Sequence, residues 1–139
     1  MKFMAATLLA VLVFSTAPTR AQEEGKILKA EAAAVAWLAL TDAGDYGGSW
    51  NKASGFFQSS ISQSNWASAL LNARSPLGSL TSRKVKSALY TRSLPGAPDG
   101  EYVVIQFDTN FEQRKGANEL VTPVLEKDGS WKVSGYFIR

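Results

Sequence analysis

The hydrophobic pattern of the chain changes once, and this change limits the folds open to it. Apolar residues recur at helical spacing up to Asn72, whereas apolar and polar residues alternate with a period of two from Leu80 onwards. The segment from Ser75 to Gly78 separates the two patterns with residues that end helices. Helices followed by consecutive strands predict an α+β domain. We expect N-terminal helices packed on one face of a curved, four-stranded antiparallel meander.

Three helices are predicted before the change of pattern. The first covers Glu23 to Leu40 and ends in the turn from Thr41 to Gly44. Asp45 is the predicted N-cap of a second helix, and Ser62 or Ser64 caps a third that runs to about Asn72. The predicted buried faces are Tyr46, Trp50, Ala53 and Phe57 for the second helix, and Trp66, Ala67, Leu70 and Leu71, docked on the sheet, for the third.

Four strands are predicted after it, at 80–92, 102–111, 119–127 and from Trp131 to the end. In the second, Val103, Ile105, Phe107, Thr109 and Phe111 share one face. Pro123 cannot donate a ladder hydrogen bond, so the third strand is expected to be an edge or bulged there. Asp128-Gly129 predicts a type I′ hairpin turn. In the fourth, Trp131, Val133, Gly135 and Phe137 are expected on one face and Tyr136 and Ile138 on the other, so a helix, a ligand or a second copy is expected to cover the second face.

The N-terminus predicts a cleavable secretory signal at residues 1–21, followed by a single α+β domain at 22–139. Lys2 is the positive start, Phe3 to Phe14 is an apolar stretch too short to span a bilayer, and Thr19-Arg20-Ala21 has small residues at the −3 and −1 positions. The protein is therefore expected to be exported, periplasmic or secreted, and not membrane-spanning after cleavage. Lys2 and Arg20 lie in the signal, so the 15 bases and 12 acids of the chain leave a net charge of +1 without it. This balance gives no reason to expect nucleic-acid binding.

Two residue types are absent from the sequence, and their absence excludes several kinds of site. Without cysteine, no disulfide can stabilise the domain, which must depend on packing. Without histidine, a Ser–His–Asp triad, a Cys–His site and a histidine-based zinc site are all impossible. Calcium or magnesium held by carboxylates alone is not excluded, but no Asp-rich binding loop occurs. We expect no metal and no cofactor.

Four segments resemble a known family. They are 37–53, with Trp37, Asp42, Gly44, Tyr46, Ser49 and Trp50; 66–83, with Arg74 to Gly78 and Ser82-Arg83; 94–111, with Leu-Pro-Gly-Ala-Pro-Asp-Gly-Glu-Tyr-Val-Val-Ile-Gln-Phe; and 126–139. In these the chain resembles the small exported bacterial proteins grouped as domain of unknown function 4019. The resemblance implies a cone-like fold similar to those of nuclear transport factor 2 and the cystatins. It implies no activity and no catalytic residues.

All charged residues between Asp45 and Asp99 are basic, and we call them the basic run. Its members are Lys52, Arg74, Arg83, Lys84, Lys86 and Arg92. They predict either a patch that faces an anionic partner or, as we favour, a solvated face whose charges pair with acids between Glu101 and Asp128. Arg74 and Arg83 are the members expected in partly buried ion pairs.

Carboxylates are the acid–base groups that remain for an enzyme. The candidates are Asp42, Asp45, Glu101, Asp108 and Glu119, from which a pair about 5 to 10 Å apart is conceivable. Asp42 is explained by a helix end and Asp45 by an N-cap, whereas Asp108, on the polar face of its strand beside Gln106, has no obvious structural role. A closed pocket containing Asp108 and a second carboxylate would favour chemistry.

Six aromatic residues are candidates to line an apolar ligand pocket: Tyr46, Trp50, Phe56, Phe57, Trp66 and Tyr102. Their helical spacing favours a place in the core instead. The sequence thus predicts a non-enzymatic module that binds a protein partner or a small apolar ligand, and a homodimer is compatible with it. The alternatives are a histidine-free hydrolase that uses carboxylates and a structural, self-associating envelope protein.

Overall fold

A computed structural model describes residues 12–14 and 16–139 of the chain. Within these residues, four α-helices precede an antiparallel sheet whose strand order is β1-β2-β3-β4. The predicted α+β class, with helices first and a meander after them, is confirmed. The elements are α1 Arg20–Asp42, α2 Tyr46–Lys52, α3 Gly55–Ser60, α4 Gln63–Arg74, a 3-10 helix Ser75–Leu77, β1 Leu80–Thr91, β2 Tyr102–Phe111, β3 Arg114–Leu125 and β4 Trp131–Ile138.

Helix α1 is longer than predicted at both ends. It begins at Arg20 because Thr19 and Gln22 form a capping box, in which the backbone N–H of each donates to the side chain of the other. Gly44, with φ of 77°, ends it as expected. This start lies inside the predicted signal, of which residues 1–11 and 15 are outside the described part of the chain. The signal therefore stays a prediction.

The predicted second helix is two helices, so this prediction was wrong in one respect. Asp45 caps α2 as expected, accepting from the backbone N–H of Gly48 at 2.9 Å. The chain then becomes extended at Ala53 and Ser54, whose N–H donates to the carbonyl of Val133 in β4 at 2.8 Å. The Ser54 hydroxyl accepts from Phe57 N–H and starts α3. A tertiary hydrogen bond and a competing cap thus divide the segment.

Helix α4 is capped by Ser62, one of the two predicted caps, but it packs mainly against α2 rather than on the sheet. Trp66 and Leu70 are buried, whereas Leu71 is 51% exposed. The predicted face was therefore too wide, because a helix packed on another helix buries a narrower stripe.

Strand β2 has the predicted bounds, and all five residues of its predicted inner face are buried. Strand β3 starts at Arg114, earlier than predicted, because a tight turn pairs Phe111 directly with Arg114. Pro123 lies at a register irregularity, as expected, although β3 is a central strand and not an edge.

The predicted faces of β4 were wrong because a bulge interrupts the alternation. Thr122 pairs with Gly135 and Pro123 with Val133, so Ser134 is an extra residue in β4. Trp131, Val133 and Tyr136 are consequently all buried, while Phe137 is 62% exposed. The two-faced apolar pattern that suggested a covered outer face is therefore largely an effect of the bulge.

The turn before β4 also differs from the prediction. A type I′ turn needs positive φ at both central residues, but only Gly129 has it, at 86°. Gly129 N–H donates to the carbonyl of Glu126 and Glu126 N–H to that of Ser130. This pattern is a longer hairpin loop with glycine in the left-handed position.

The core lies between the helices and one face of the sheet. Trp37 and Tyr136 make an edge contact with ring centroids 5.3 Å apart, and Phe57 meets Trp66 edge-on at 4.8 Å. No helix in the described part of the chain is both long and apolar enough to cross a membrane.

Candidate functional site

The structure brings together two of the five candidate carboxylates, Asp42 and Glu119, on a single arginine. Arg83 donates from both terminal nitrogens to Asp42, at 2.7 and 2.9 Å, and from Nε to Glu119 at 2.7 Å. Asp42 comes from the last turn of α1, Arg83 from β1 and Glu119 from β3, so the cluster joins the helical layer to the sheet. The structural role predicted for Asp42, a helix end, was incomplete.

Arg74 completes the Asp42 side of this cluster. One terminal nitrogen donates to Asp42 at 2.8 Å and the other to the hydroxyl of Thr41 at 3.0 Å. The guanidinium lies 4.7 Å from the ring centroid of Phe111. Its Nε is buried and finds no hydrogen-bond partner among the described residues. The prediction that Arg74 and Arg83 form partly buried ion pairs is confirmed.

Glu119 is fully buried and has three donors. Besides Arg83, it accepts from the hydroxyl of Thr109 at 2.6 Å and from that of Tyr136. The two carboxylates and two guanidiniums balance in charge, so the buried cluster is neutral as a whole. Tyr136 was not among the candidates; its place opposite β3 depends on the β4 bulge, which the sequence did not reveal.

The surroundings hold these groups in fixed protonation states. Burial alone would raise the pKa of Asp42, but hydrogen bonds from Arg83 and Arg74 outweigh it and keep that pKa below its ordinary value. Burial would lower the pKa of Arg83, and its two carboxylate partners raise it instead. Burial, the charge of Glu119 and the hydrogen bond to it raise the pKa of Tyr136. Asp42 is thus a poor proton donor and Tyr136 a poor base at neutral pH.

The other candidate carboxylates lie elsewhere. Glu101 accepts from Lys26 and, at 2.6 Å, from the hydroxyl of Tyr90. Asp108 is half-buried on the outer face of the sheet, with Lys84 and Asn118 as its cross-strand neighbours. Glu119 is on the inner face, so the structure does not bring Asp108 and Glu119 together.

The basic run disperses in space. Arg83 pairs with Glu119, as expected of this run, but Arg74 pairs with Asp42 from outside the predicted range. Lys84 and Lys86 are exposed on β1, and Arg92 borders a polar cavity with Lys26, Lys29 and Glu101. Lys52 is the last residue of α2 and is exposed.

Most of the six candidate aromatics fill the core, as their spacing favoured. Phe57, Trp66 and Tyr102 are buried, Tyr46 and Trp50 pack against the core cluster, and Phe56 is 39% exposed. The predicted pocket lined by this set is therefore not formed.

A different apolar cavity runs along α1 and the edge strand β4, and we call it the α1–β4 groove. Its volume is about 400 Å³, within the range of small-molecule sites. Two lysines, Lys52 and Lys132, border it, and none of the described residues that line it is acidic. The lining residues are Ala33, Ala36, Trp37, Leu40, Lys52, Ser130, Trp131, Lys132 and Val133.

The groove exists because of small residues and a local hairpin. Ala33 and Ala36 lie three residues apart on one side of α1, where their short side chains leave space beside Trp131. The β3–β4 hairpin supplies the opposite wall, including Lys132 between buried Trp131 and Val133. The sequence pattern did not reveal the groove. The Ala33/Ala36 spacing and the lysine between two apolar residues were the available signals.

Comparison with known proteins identifies the family. The model of the family described as Protein of unknown function (DUF4019) matches residues 33–136, which include the ion-pair cluster and the groove. No curated protein and no solved structure matches the chain, so the likeness to nuclear transport factor 2 and the cystatins stays a prediction. The described residues contain no group of three His, Cys, Asp or Glu side chains that could hold a metal ion. Because the family match covers most of the chain, the protein belongs to the DUF4019 family of proteins of unknown function.

Proposed function

We propose that this protein is an exported, non-enzymatic binding module, periplasmic or secreted, and that the α1–β4 groove binds a small amphipathic molecule with an apolar body and an anionic group. The observation that carries the proposal is the composition of the groove: an apolar lining, two lysines and no carboxylate. Export is supported by the N-terminal pattern of Lys2, the apolar stretch Phe3 to Phe14 and Thr19-Arg20-Ala21.

The apolar lining favours a hydrocarbon body. Trp37, Trp131 and Val133 are each no more than 9% exposed and belong to the core, so the groove has a rigid floor. Burial of each methylene in such a site contributes about 0.8 kcal/mol, so affinity depends on chain length.

The two lysines favour a negative group at the end of that body. Lys52 is exposed at the end of α2, and Lys132 is half-buried on β4. With no acid in the lining to neutralise them, they make the groove electropositive. A carboxylate, sulfate or phosphate monoester has the matching charge.

The ion-pair cluster favours a structural role over a catalytic one. Asp42 and Glu119 are occupied by Arg74, Arg83, Thr109 and Tyr136, which leaves them little freedom to exchange protons with a substrate. A binding role for the groove is therefore better supported than a carboxylate-dependent hydrolase.

A titration with straight-chain carboxylates tests the proposal. Octanoate, decanoate and dodecanoate should bind with affinities that rise by up to about fourfold for each added methylene, until the groove is full. Dodecanol should bind more weakly than dodecanoate, because it lacks the charge. Isothermal titration calorimetry gives both comparisons; binding of none of the four compounds would refute the proposal.

A charge-reversal pair with a matched control tests the role of the lysines. Lys52→Glu with Lys132→Glu should weaken dodecanoate binding about tenfold or more and leave dodecanol binding nearly unchanged. The same double change at Lys84 and Lys86, two exposed lysines on β1, should affect neither ligand. An equal loss in both double variants would show that the charge of the whole molecule, and not the groove, governs binding.

A further inference from the structure

Helix α1 is apolar on two opposite sides. Towards the core it buries Ala30, Ala34, Trp37 and Leu38. Away from the core, Leu28 is 66% and Val35 54% exposed. From Ala32 to Leu40 the sequence contains no polar or charged residue at all. A helix that is apolar all round is typical of one that is covered on all sides, yet the sheet covers only one side of α1.

The exposed apolar residues form a continuous line, which we call the outer stripe: Leu28, Ala32, Val35 and Ala39. Their steps of four, three and four residues correspond to alternating d and a positions of a heptad, the pattern by which two helices pair. The two alanines of the stripe, Ala32 and Ala39, are exposed and allow close approach of another helix. At 1.5 Å per residue, the stripe is about 17 Å long.

The charges beside the stripe complement a second copy of the same helix. With Leu28 at d, Glu24 takes a g position and Lys29 an e position. When two such helices run in parallel, a g residue faces the e residue of the next heptad on the partner. Glu24 would then meet the partner's Lys29, and the two-fold axis would repeat the pair. In an antiparallel arrangement Leu28 would meet Ala39 and these charges would face uncharged residues.

Both side chains are free to form this pair with a second copy. Glu24 contacts Arg20 at 3.4 Å, but the two side chains are 65% and 94% exposed, and such pairs contribute little. Cleavage after Ala21 would remove Arg20 altogether. Within residues 12–14 and 16–139, Lys29 has no carboxylate within 4 Å.

We propose that two copies of this chain associate through the outer stripe of α1, with the helices parallel and the two-fold axis between them. The interface is isologous, so each residue of the outer stripe packs against the same residue of the second copy. This association does not depend on the proposed ligand, because the groove lies on a neighbouring side of α1.

Sedimentation velocity of the purified protein between about 1 µM and 1 mM tests the association. The dimer fraction should rise with concentration, and Val35→Glu should leave a monomer throughout this range while the far-ultraviolet spectrum keeps its helical signal. Leu89→Glu is the matched control, because Leu89 is 64% exposed on the outer face of the sheet. A monomer at all concentrations, or a dimer that Leu89→Glu and not Val35→Glu dissociates, would overturn the proposal.

Two further variants test the orientation. The chain has no cysteine, so Leu28→Cys introduces a single thiol, which in the parallel arrangement lies opposite its own copy and forms a cross-linked dimer on oxidation. Glu24→Lys alone and Lys29→Glu alone should each weaken the dimer a few-fold, because each change affects two exposed pairs, and the two together should restore it. A chain that dimerises without cross-linking through Leu28→Cys would exclude the parallel arrangement.

Discussion

At the scale of single residues, one arginine connects the two layers of the fold. Arg83 binds Asp42 of α1 and Glu119 of β3 at the same time, which a lysine with its single ammonium could not do with the same geometry. The sequence predicted that Arg74 and Arg83 would lie in partly buried ion pairs. It could not predict their partners, since Asp42 and Glu119 are brought together only by the packing of α1 on the sheet.

Stability should depend on pH through Asp42. Its pKa in the folded protein is lower than its ordinary value of about 4, because the hydrogen bonds from Arg83 and Arg74 outweigh burial. The stabilisation is therefore complete above about pH 4 and disappears as the pH falls through the lower folded pKa. Asp42→Asn should cost about 2 to 4 kcal/mol of unfolding free energy at pH 7. This deficit should shrink as the pH falls below about 4 towards the lower folded pKa of Asp42.

Urea denaturation of both proteins at several pH values measures this deficit. Asp45→Asn is the matched control, because asparagine also caps α2 and Asp45 contacts no arginine in the described part of the chain. Its deficit should be small at every pH. A deficit for Asp42→Asn that stays constant from pH 7 to 2 would contradict the ionised pairing.

At the scale of elements, the sequence predicted what local chemistry determines. Strand β2 has the predicted bounds because its alternation is strict, and the caps Asp45 and Ser62 act as side-chain chemistry suggests. The split between α2 and α3 and the bulge in β4 were missed, because each depends on residues distant in sequence: Val133 for the split at Ser54, and Thr122 and Pro123 for the bulge at Ser134. The α1–β4 groove was missed for the same reason, since its walls come from three separate elements.

The cap at Ser54 should matter more than an ordinary one. Ser54 is fully buried, and its hydroxyl accepts from Phe57 N–H at 3.1 Å. Ser54→Ala leaves that amide without this partner in a place that water does not reach, so we expect a loss of about 2 kcal/mol of unfolding free energy. Ser62→Ala removes an exposed cap from α4 and should cost about 1 kcal/mol or less. Equal losses in urea denaturation would show that burial of the cap has no effect.

At the scale of the whole molecule, apolar surface remains on both sides of the two-layer domain. The outer stripe of α1 lies on the helical side, and on the sheet side Leu89 pairs with Val104 and Leu120 with Phe137 across the strands. Leu89 and Phe137 are 64% and 62% exposed. Contiguous exposed apolar residues often mark interaction sites, and the association proposed above uses those on the helical side.

Removal of the predicted signal should leave this fold intact. Cleavage after Ala21 would remove the capping residue Thr19 and the first two residues of α1, but the core contacts of the helix begin only at Ile27 and Ala30. Glu23 and Glu24 would then lie at the new helix start, where negative charge is favourable. N-terminal sequencing of the protein recovered from the periplasm or the medium should give Gln22 as the first residue.

The stability of the shortened chain is a second test. The free energy of unfolding of a chain that begins at Gln22 should lie within about 1 kcal/mol of that of a chain that begins at Thr16, because only a cap is lost. Recovery of the intact N-terminus from the cytoplasm alone would refute export, and a larger loss of stability would show that the segment before α1 belongs to the folded domain.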